Sequence, residues 1–365
     1  MQRRPPARLI AALLGLLTAC ATPAAAPGTT PEPAASGTSQ PAGAAAAPPT
    51  QAAAPAPAER QTIQQGYLSI LAGTPVFVAE DRGYFAEEGF TVNYSPFDSG
   101  ALMVAPLAAG QLDVIPAVPS PSLFNALARD VSMQAVAVQS SASTSTLMLR
   151  KELWDSGEVR TLPDLRGKRV SFNVEGSPVD YALRHGFQKY GLSLQDVEVQ
   201  RISNTDTAPA LANGALDAGI LPEPGPVLIE SRGIGVRLLE ASEMVPEQTG
   251  SMLTIGPSMS ARGDAVITRF LAAYLRGLRD TNAAIKDNHL TDPAVLAIVS
   301  KWTNLPSDTI AKATNLPVDA NGRIDLDDVI QQQDFWVQQG LVPTPVDLHK
   351  FIDYKYIDAA RALVP

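Results

Sequence analysis

An α/β fold of two lobes, each built on a parallel sheet, is what the sequence predicts, and three observations predict it. From Ile63 onward, runs of strand composition alternate with runs of helical periodicity, the sign of parallel strands joined by crossover helices. A second such series opens at DLRGKRV, residues 164–170. An internal repeat links the two: PLAAGQLDV (106–114) matches ALANGALDA (210–218) at a spacing of 104 residues. In each copy a helix ends at Gly110 or Gly214, and Asp113 or Asp217 opens a buried strand.

The chain begins with a leader. Arg3, Arg4 and Arg8 precede the apolar run 9–17, which is too short to span a bilayer as a helix. The run ends in Leu17-Thr18-Ala19-Cys20, which resembles the bacterial lipobox, where a peptidase cuts before a cysteine that then carries lipid. Cys20 is the only cysteine, so an exported body has no disulfide and must be held by its core. Without residues 1–20 the chain has 25 basic against 37 acidic groups, a formal charge of −12. That balance argues against nucleic acid or an anionic membrane surface as the main partner.

Residues 21–58 carry nine prolines, one charge and no large apolar residue. Such a tract cannot bury enough surface to fold. It predicts a disordered tether over 21–61 with a coil reach of about 35 Å.

Lobe one is expected to start with residues 62–148, with strands at 62–71, 90–94, 114–118 and 133–139. Lobe two follows over 149–252, with strands at 170–173, 197–202, 218–221 and 236–240. The apolar runs 145–150 and 251–255 read as paired hinge strands. Residues 253–365 turn helical, at 264–286, 293–302, 325–339 and from Val346 onward, and are expected to return to lobe one.

In a parallel sheet the carboxyl ends of the strands feed helix N-termini at one edge, where ligands bind. The chain places Thr74-Pro75, Ser99-Gly100 and Ser120-Pro121 at that edge in lobe one. In lobe two it places Gly176-Ser177-Pro178, Asp206-Thr207-Ala208-Pro209 and Glu223-Pro224 there. Any one of these is a good helix start and no more. Their recurrence at the same joint in both lobes is what points to a binding cleft.

Signatures of catalysis and of metal or phosphate binding are missing: there is no G-x-S-x-G, no G-x-x-x-x-G-K and no H-E-x-x-H. His185, His289 and His349 lie far apart on expected helices, where surface or capping roles outweigh metal ligation. Gly233-Ile234-Gly235 and Asp319-Ala320-Asn321-Gly322 read as turns, and Trp154, Trp302 and Trp336 as core.

GTP (73–75), GYFAEEG (83–89), AAGQLDV (108–114), DLRGK (164–168), GALDA (214–218) and EP (223–224) together resemble solute-binding proteins of the nitrate, sulfonate, taurine and thiamin-precursor type. The match extends through Arg269-Phe270-Leu271 and Gln333-Asp334-Phe335-Trp336. The resemblance implies a bilobal type II periplasmic-binding fold that closes on a small solute and delivers it to an ABC permease and its ATPase. A monomer with no cofactor and no metal is expected, and the lipobox-like leader implies that it is held to the membrane through lipidated Cys20. By position, Thr74, Ser99, Ser120, Ser177, Asp206 and Glu223 fall where such proteins place ligand contacts, with Gly100, Ser140 and Gly176 in the same loops.

These loops hold no Lys, Arg or His but include Asp98, Glu175, Asp180, Asp206 and Glu223. Such a lining leans toward a neutral or cationic nitrogen-containing solute over nitrate or a sulfonate. Two rivals remain. One is a ligand-sensing lipoprotein without transport. The other is an enzyme like the eukaryotic pyrimidine-precursor synthases, whose branch is marked by a cysteine cluster, whereas this chain has only Cys20.

Overall fold

A computed structural model of the chain describes residues 60–141, 144–246 and 248–364. The leader, Cys20 and residues 21–59 of the expected tether lie outside them, and the last expected tether residue, Gln61, already opens a strand.

Two mixed five-stranded sheets organise the described chain. The first holds β1 (Gln61–Tyr67), β2 (Phe90–Pro96), β3 (Val114–Ala117), β4 (Gln134–Ser141) and β10 (Thr249–Ile255) in the order β2-β1-β3-β10-β4. The second holds β5 (Thr146–Arg150), β6 (Arg169–Phe172), β7 (Glu198–Arg201), β8 (Ala218–Leu221) and β9 (Gly235–Glu240) in the order β7-β6-β8-β5-β9. The two orders superimpose position by position. In each sheet the fourth position is reversed: β10 runs antiparallel to β3 and β4, and β5 antiparallel to β8 and β9.

The reversed strands are the two runs expected to serve as hinges. They are sheet members, and the crossings are the segments in front of them, from Ser141 to Thr146 and from Glu240 to Thr249. Their apolar composition reflects burial: β10 is buried along its whole length, and β5 at all but its last residue. A fully buried strand reads as a continuous apolar run, with nothing in it to reveal its direction.

The repeat has a structural cause. Asp113 Oδ2 accepts from the Gln64 backbone N–H at 2.8 Å and from Arg262 at 2.8 Å. Asp217 Oδ2 accepts from the Arg169 N–H at 2.9 Å, and its other oxygen accepts from Arg169 and Arg150. Each aspartate therefore clamps the central strand of its sheet, β3 or β8, onto the neighbouring parallel strand, β1 or β6. Gly110 and Gly214, at φ of 71° and 73°, turn the chain into these strands.

After β10 the chain forms the helix Asp264–Ala284, whose buried face includes Phe270, Tyr274 and Leu278, in the core of the first sheet. It approaches the helix Thr74–Asp81 closely at Gly277, where a Cβ would collide with the Pro75 carbonyl and Ala79. Helix Leu326–Gln338 covers the other side of that sheet with Val329, Phe335 and Trp336. The second sheet has its own core around Leu147, Phe172, Leu183 and Phe187.

Candidate functional site

A cavity of about 350 Å³ lies between the two sheets. Lobe one lines it with Leu68, Phe97, Ser99, Gly100 and Val118, and lobe two with Asn173, Ser177, Val179, Ser203 and Thr205. Ser141 and Thr144 of the first crossing and Gly250 and Ser251 at the start of β10 complete the lining.

Three helix starts reach this cavity. Ser99 stands in extended conformation before the 3-10 turn Gly100–Met103, and its buried Oγ has no hydrogen-bond partner. Ser177 caps the helix Pro178–Lys189, accepting from the Asp180 N–H and donating to Asn173 Oδ1 at 3.0 Å. Ser203 caps the helix Asn204–Ala212, accepting from the Asp206 N–H at 3.2 Å. Gly100 is required by close approach, since a Cβ there would meet the Pro116 carbonyl at 2.9 Å. Ser140 on β4 and Ser251 on β10 are paired in the sheet and share a hydrogen bond of 2.7 Å.

Of the residues singled out in sequence, Ser99, Gly100, Ser140 and Ser177 are brought together here. The other five lie elsewhere. Thr74 follows its N-cap, Gly73, donates its hydroxyl to the Leu71 carbonyl at 2.7 Å, and lines a smaller neighbouring pocket. Ser120 is a buried N-cap whose Oγ accepts from the Leu123 N–H. Gly176, at φ of 77°, faces Pro121 of the opposite lobe. Asp206 sits exposed in the first helical turn, hydrogen-bonded to Ser203.

Glu223 is 2 % exposed; its carboxylate takes Arg237 at 2.6 Å and caps the Val227 N–H at 3.3 Å. Burial pushes its carboxyl up against the pull of Arg237.

Two of the other loop acids are ion-paired as well. Asp180 is paired with Arg184 at 2.8 Å, and Glu175 with Arg184 and Arg201. Asp98 alone among them lines the cavity, and it is exposed. No Lys, Arg or His is among the described lining residues.

Sequence reasoning passed over Asn173, Ser203, Thr205 and Ser251. A signal existed for Ser203, since Ser203-x-x-Asp206 is a capping pattern that starts the helix earlier than Pro209 suggests. Pro209 lies inside the helix instead.

The lobes touch beyond the cavity. Tyr181 and His185 pack on Phe335 with ring centroids 4.9 and 4.5 Å away, and Arg184 donates to Gln339 at 3.2 Å. His185 is thus part of an aromatic contact between lobes, and burial holds its imidazole below its usual value. Gln248 on the second crossing donates to the Pro178 carbonyl at 3.1 Å. No group of side chains suited to hold a metal occurs among the described residues.

Residues 72–284, more than half of the chain, match the family described as NMT1/THI5 like. A Haemophilus influenzae protein named after thiamine biosynthesis is 26% identical over 282 residues, covering 76% of this chain and 86% of that protein. The riboflavin-binding protein RibY of Chloroflexus aurantiacus is 26% identical over 226 residues, covering 62% of this chain and 63% of RibY. Among solved structures, the periplasmic aliphatic sulphonate binding protein SsuA of Escherichia coli has the same fold, with a TM-score of 0.65 at 20% identity over 80% of this chain and 97% of that one. The chain belongs to the NMT1/THI5-like family.

Proposed function

We propose that this chain is an extracytoplasmic solute-binding lipoprotein that captures a small polar, uncharged or cationic organic solute and delivers it to an ABC import permease. The observation that carries the reading is the cavity of about 350 Å³, bounded by both lobes and lined by serines, threonines and two asparagines among apolar side chains. Such a concave, mostly apolar site with a few convergent polar groups suits a small molecule. SsuA is named for a sulphonate, but this lining offers an anion no cation and sets Asp98 nearby. The N-cap hydroxyls of Ser177 and Ser203 already accept from their own helices, so what is left for the solute is neutral hydrogen bonding. Nitrogen donors on the solute match the serine and asparagine oxygens.

We read the site as one of binding without chemistry. Asp98 is the only ionisable side chain in the described lining, so an acid–base pair or an activated nucleophile has no support there. Lipid anchoring is supported by the leader and Cys20. Replacing Cys20 by Ala is expected to release the protein from the membrane fraction or leave it unprocessed, and a processed variant still firmly membrane-bound would refute the anchor.

Native mass spectrometry of protein purified without denaturation, followed by a thermal-shift screen of nitrogenous metabolites, tests the binding reading. A retained neutral or cationic solute, lost in Ser99→Leu with the fold intact, is the expected result. Stabilisation by nitrate or alkanesulfonates alone would overturn the ligand assignment.

A further inference from the structure

Most polar atoms around the cavity are already committed within the protein. Ser177 Oγ accepts from the Asp180 N–H and donates to Asn173 Oδ1. Ser203 Oγ accepts from the Asp206 N–H and spends its one proton on Asp206 Oδ2 at 2.7 Å, so the 2.9 Å bond it shares with Thr205 is donated by Thr205. Ser99 Oγ has no partner, but it is shut off from solvent and out of a solute's reach.

Asn173 differs from all of these. It directly follows β6, and its Oδ1 accepts from the Val174 N–H at 2.8 Å and from the Ser177 hydroxyl at 3.0 Å. A backbone N–H can only donate, so the orientation of this amide is settled: the oxygen serves the turn before the helix Pro178–Lys189, and Nδ2 is left over. Nδ2 has no partner among the described residues, and unlike Ser99 Oγ it is not buried. It is therefore an open donor on a half-buried residue that lines the cavity.

The two walls also differ in kind. Lobe one supplies the large apolar side chains Leu68, Ile70, Phe97 and Val118. Lobe two supplies both asparagines of the lining, Asn173 and Asn204.

We infer that Asn173 determines which solute the cavity selects: an uncharged amphipathic molecule whose apolar body lies on lobe one and whose carbonyl oxygen or unprotonated ring nitrogen accepts from Asn173 Nδ2. This rests on the solute-binding reading above and narrows it. A volume of about 350 Å³ falls within the range, roughly 300–1,000 Å³, of cavities that bury drug-sized molecules. An ion as small as nitrate would leave most of it to water. A larger sulfonate or carboxylate could accept from Nδ2, but one neutral donor in a lining without Lys, Arg or His does not offset the desolvation of a full charge. An ammonium group has no acceptor to offer and would leave Nδ2 stripped of water and unpaired.

Benzamide, benzylammonium and benzoate share one ring and nearly one size, and they present a neutral acceptor, a cation without an acceptor, and an anion. Titrated into isotope-labelled protein, benzamide is expected to shift the side-chain amide resonances of Asn173 saturably, and the other two at equal concentration are not. Asn173→Asp keeps the oxygen that Val174 and Ser177 use and replaces Nδ2 by an acceptor of the same size. It is expected to weaken benzamide about tenfold and to tighten benzylammonium, a reversal of preference that a purely structural role for Asn173 would not produce. The wild-type titration needs no variant, so the inference does not hang on one variant folding. No Asn173 response to benzamide, equal responses to all three probes, or an unchanged benzamide affinity in Asn173→Asp would overturn it. If one of these results is found while wild-type protein still retains a solute in native mass spectrometry, the role of Asn173 falls and the binding function stands. A benzamide-specific response of Asn173 in protein that retains no solute supports that role and counts against the function.

Discussion

Arg237 Nη2 donates to Glu223 Oε1 across 2.6 Å, and the cavity wall stops one residue short of this pair, at Pro222. Arg237 also holds Glu230 at 2.7 Å and Glu240 at 3.0 Å. Glu223 thus serves the joint between β8, β9 and the helix Gly225–Ser231.

Glu223→Gln is therefore expected to act on stability and to spare binding. Removing the charge leaves Arg237 with two partly exposed partners, so the loss is put at about 1–3 kcal/mol, below that of a wholly orphaned buried charge. Melting curves of the solute-free protein would register it, while calorimetric affinity for a confirmed solute changes by less than about twofold. A loss of tenfold or more with an unchanged melting temperature would return Glu223 to the binding site.

Asp217 sets an acid limit. Burial raises its carboxyl, but the hydrogen bonds from Arg169 and Arg150 outweigh burial and hold it at about 2, below the ordinary 3.8. A folded value below the unfolded one means the unfolded chain binds the extra proton. The stabilisation is thus fully present above about pH 4 and is lost as pH falls toward 2. Denaturation midpoints measured from pH 5 down to 2 should fall in wild type. In Asp217→Asn they should start lower at pH 5 and fall less steeply, and parallel slopes would show that Asp217 does not carry the effect.

The same aspartate shows why the fold was legible. The repeat around Asp113 and Asp217 could be read because each is a local device, a glycine turn followed by a strand clamp, written in consecutive residues. The strands at 218–221 and 236–240 and the long helix from Asp264 were legible through local periodicity in the same way. What stayed hidden was decided by partners distant in sequence. Nothing near Glu223 announces Arg237, and nothing in the run 145–150 says that β5 enters its sheet antiparallel. Ser251 joins the site only because β10 returns to pair with β4, 111 residues from Ser140.

Gly277 tests the packing that carries lobe one. A side chain there would strike the Pro75 carbonyl and Ala79 of the facing helix, both backbone-bound obstacles that cannot swing aside. Gly277→Val is expected to cost about 3 kcal/mol, the upper end for overpacking a core. The urea midpoint should fall accordingly, and a change of less than about 0.5 kcal/mol would mean that the helices separate freely.

Gly176 tests lobe closure. It lies in lobe two at φ of 77°, and a Cβ on it would collide with the Pro121 ring of lobe one. Gly176→Ala therefore carries two penalties. One is the left-handed backbone, about 1–2 kcal/mol, and it is present whether the lobes are apart or together. The other is the clash, which exists only when the lobes meet and so acts on the closed population alone. If binding requires closure, the clash should lower solute affinity about tenfold and enlarge the radius of gyration at saturating solute, read by small-angle scattering. Pro121→Gly removes the ring from the other side. Combined with Gly176→Ala, it should restore affinity without restoring the melting temperature, because the backbone strain remains and the helix Pro121–Leu127 loses its first-turn proline. Affinity that stays low in the double variant would separate Gly176 from closure and assign its effect to the local turn before Ser177.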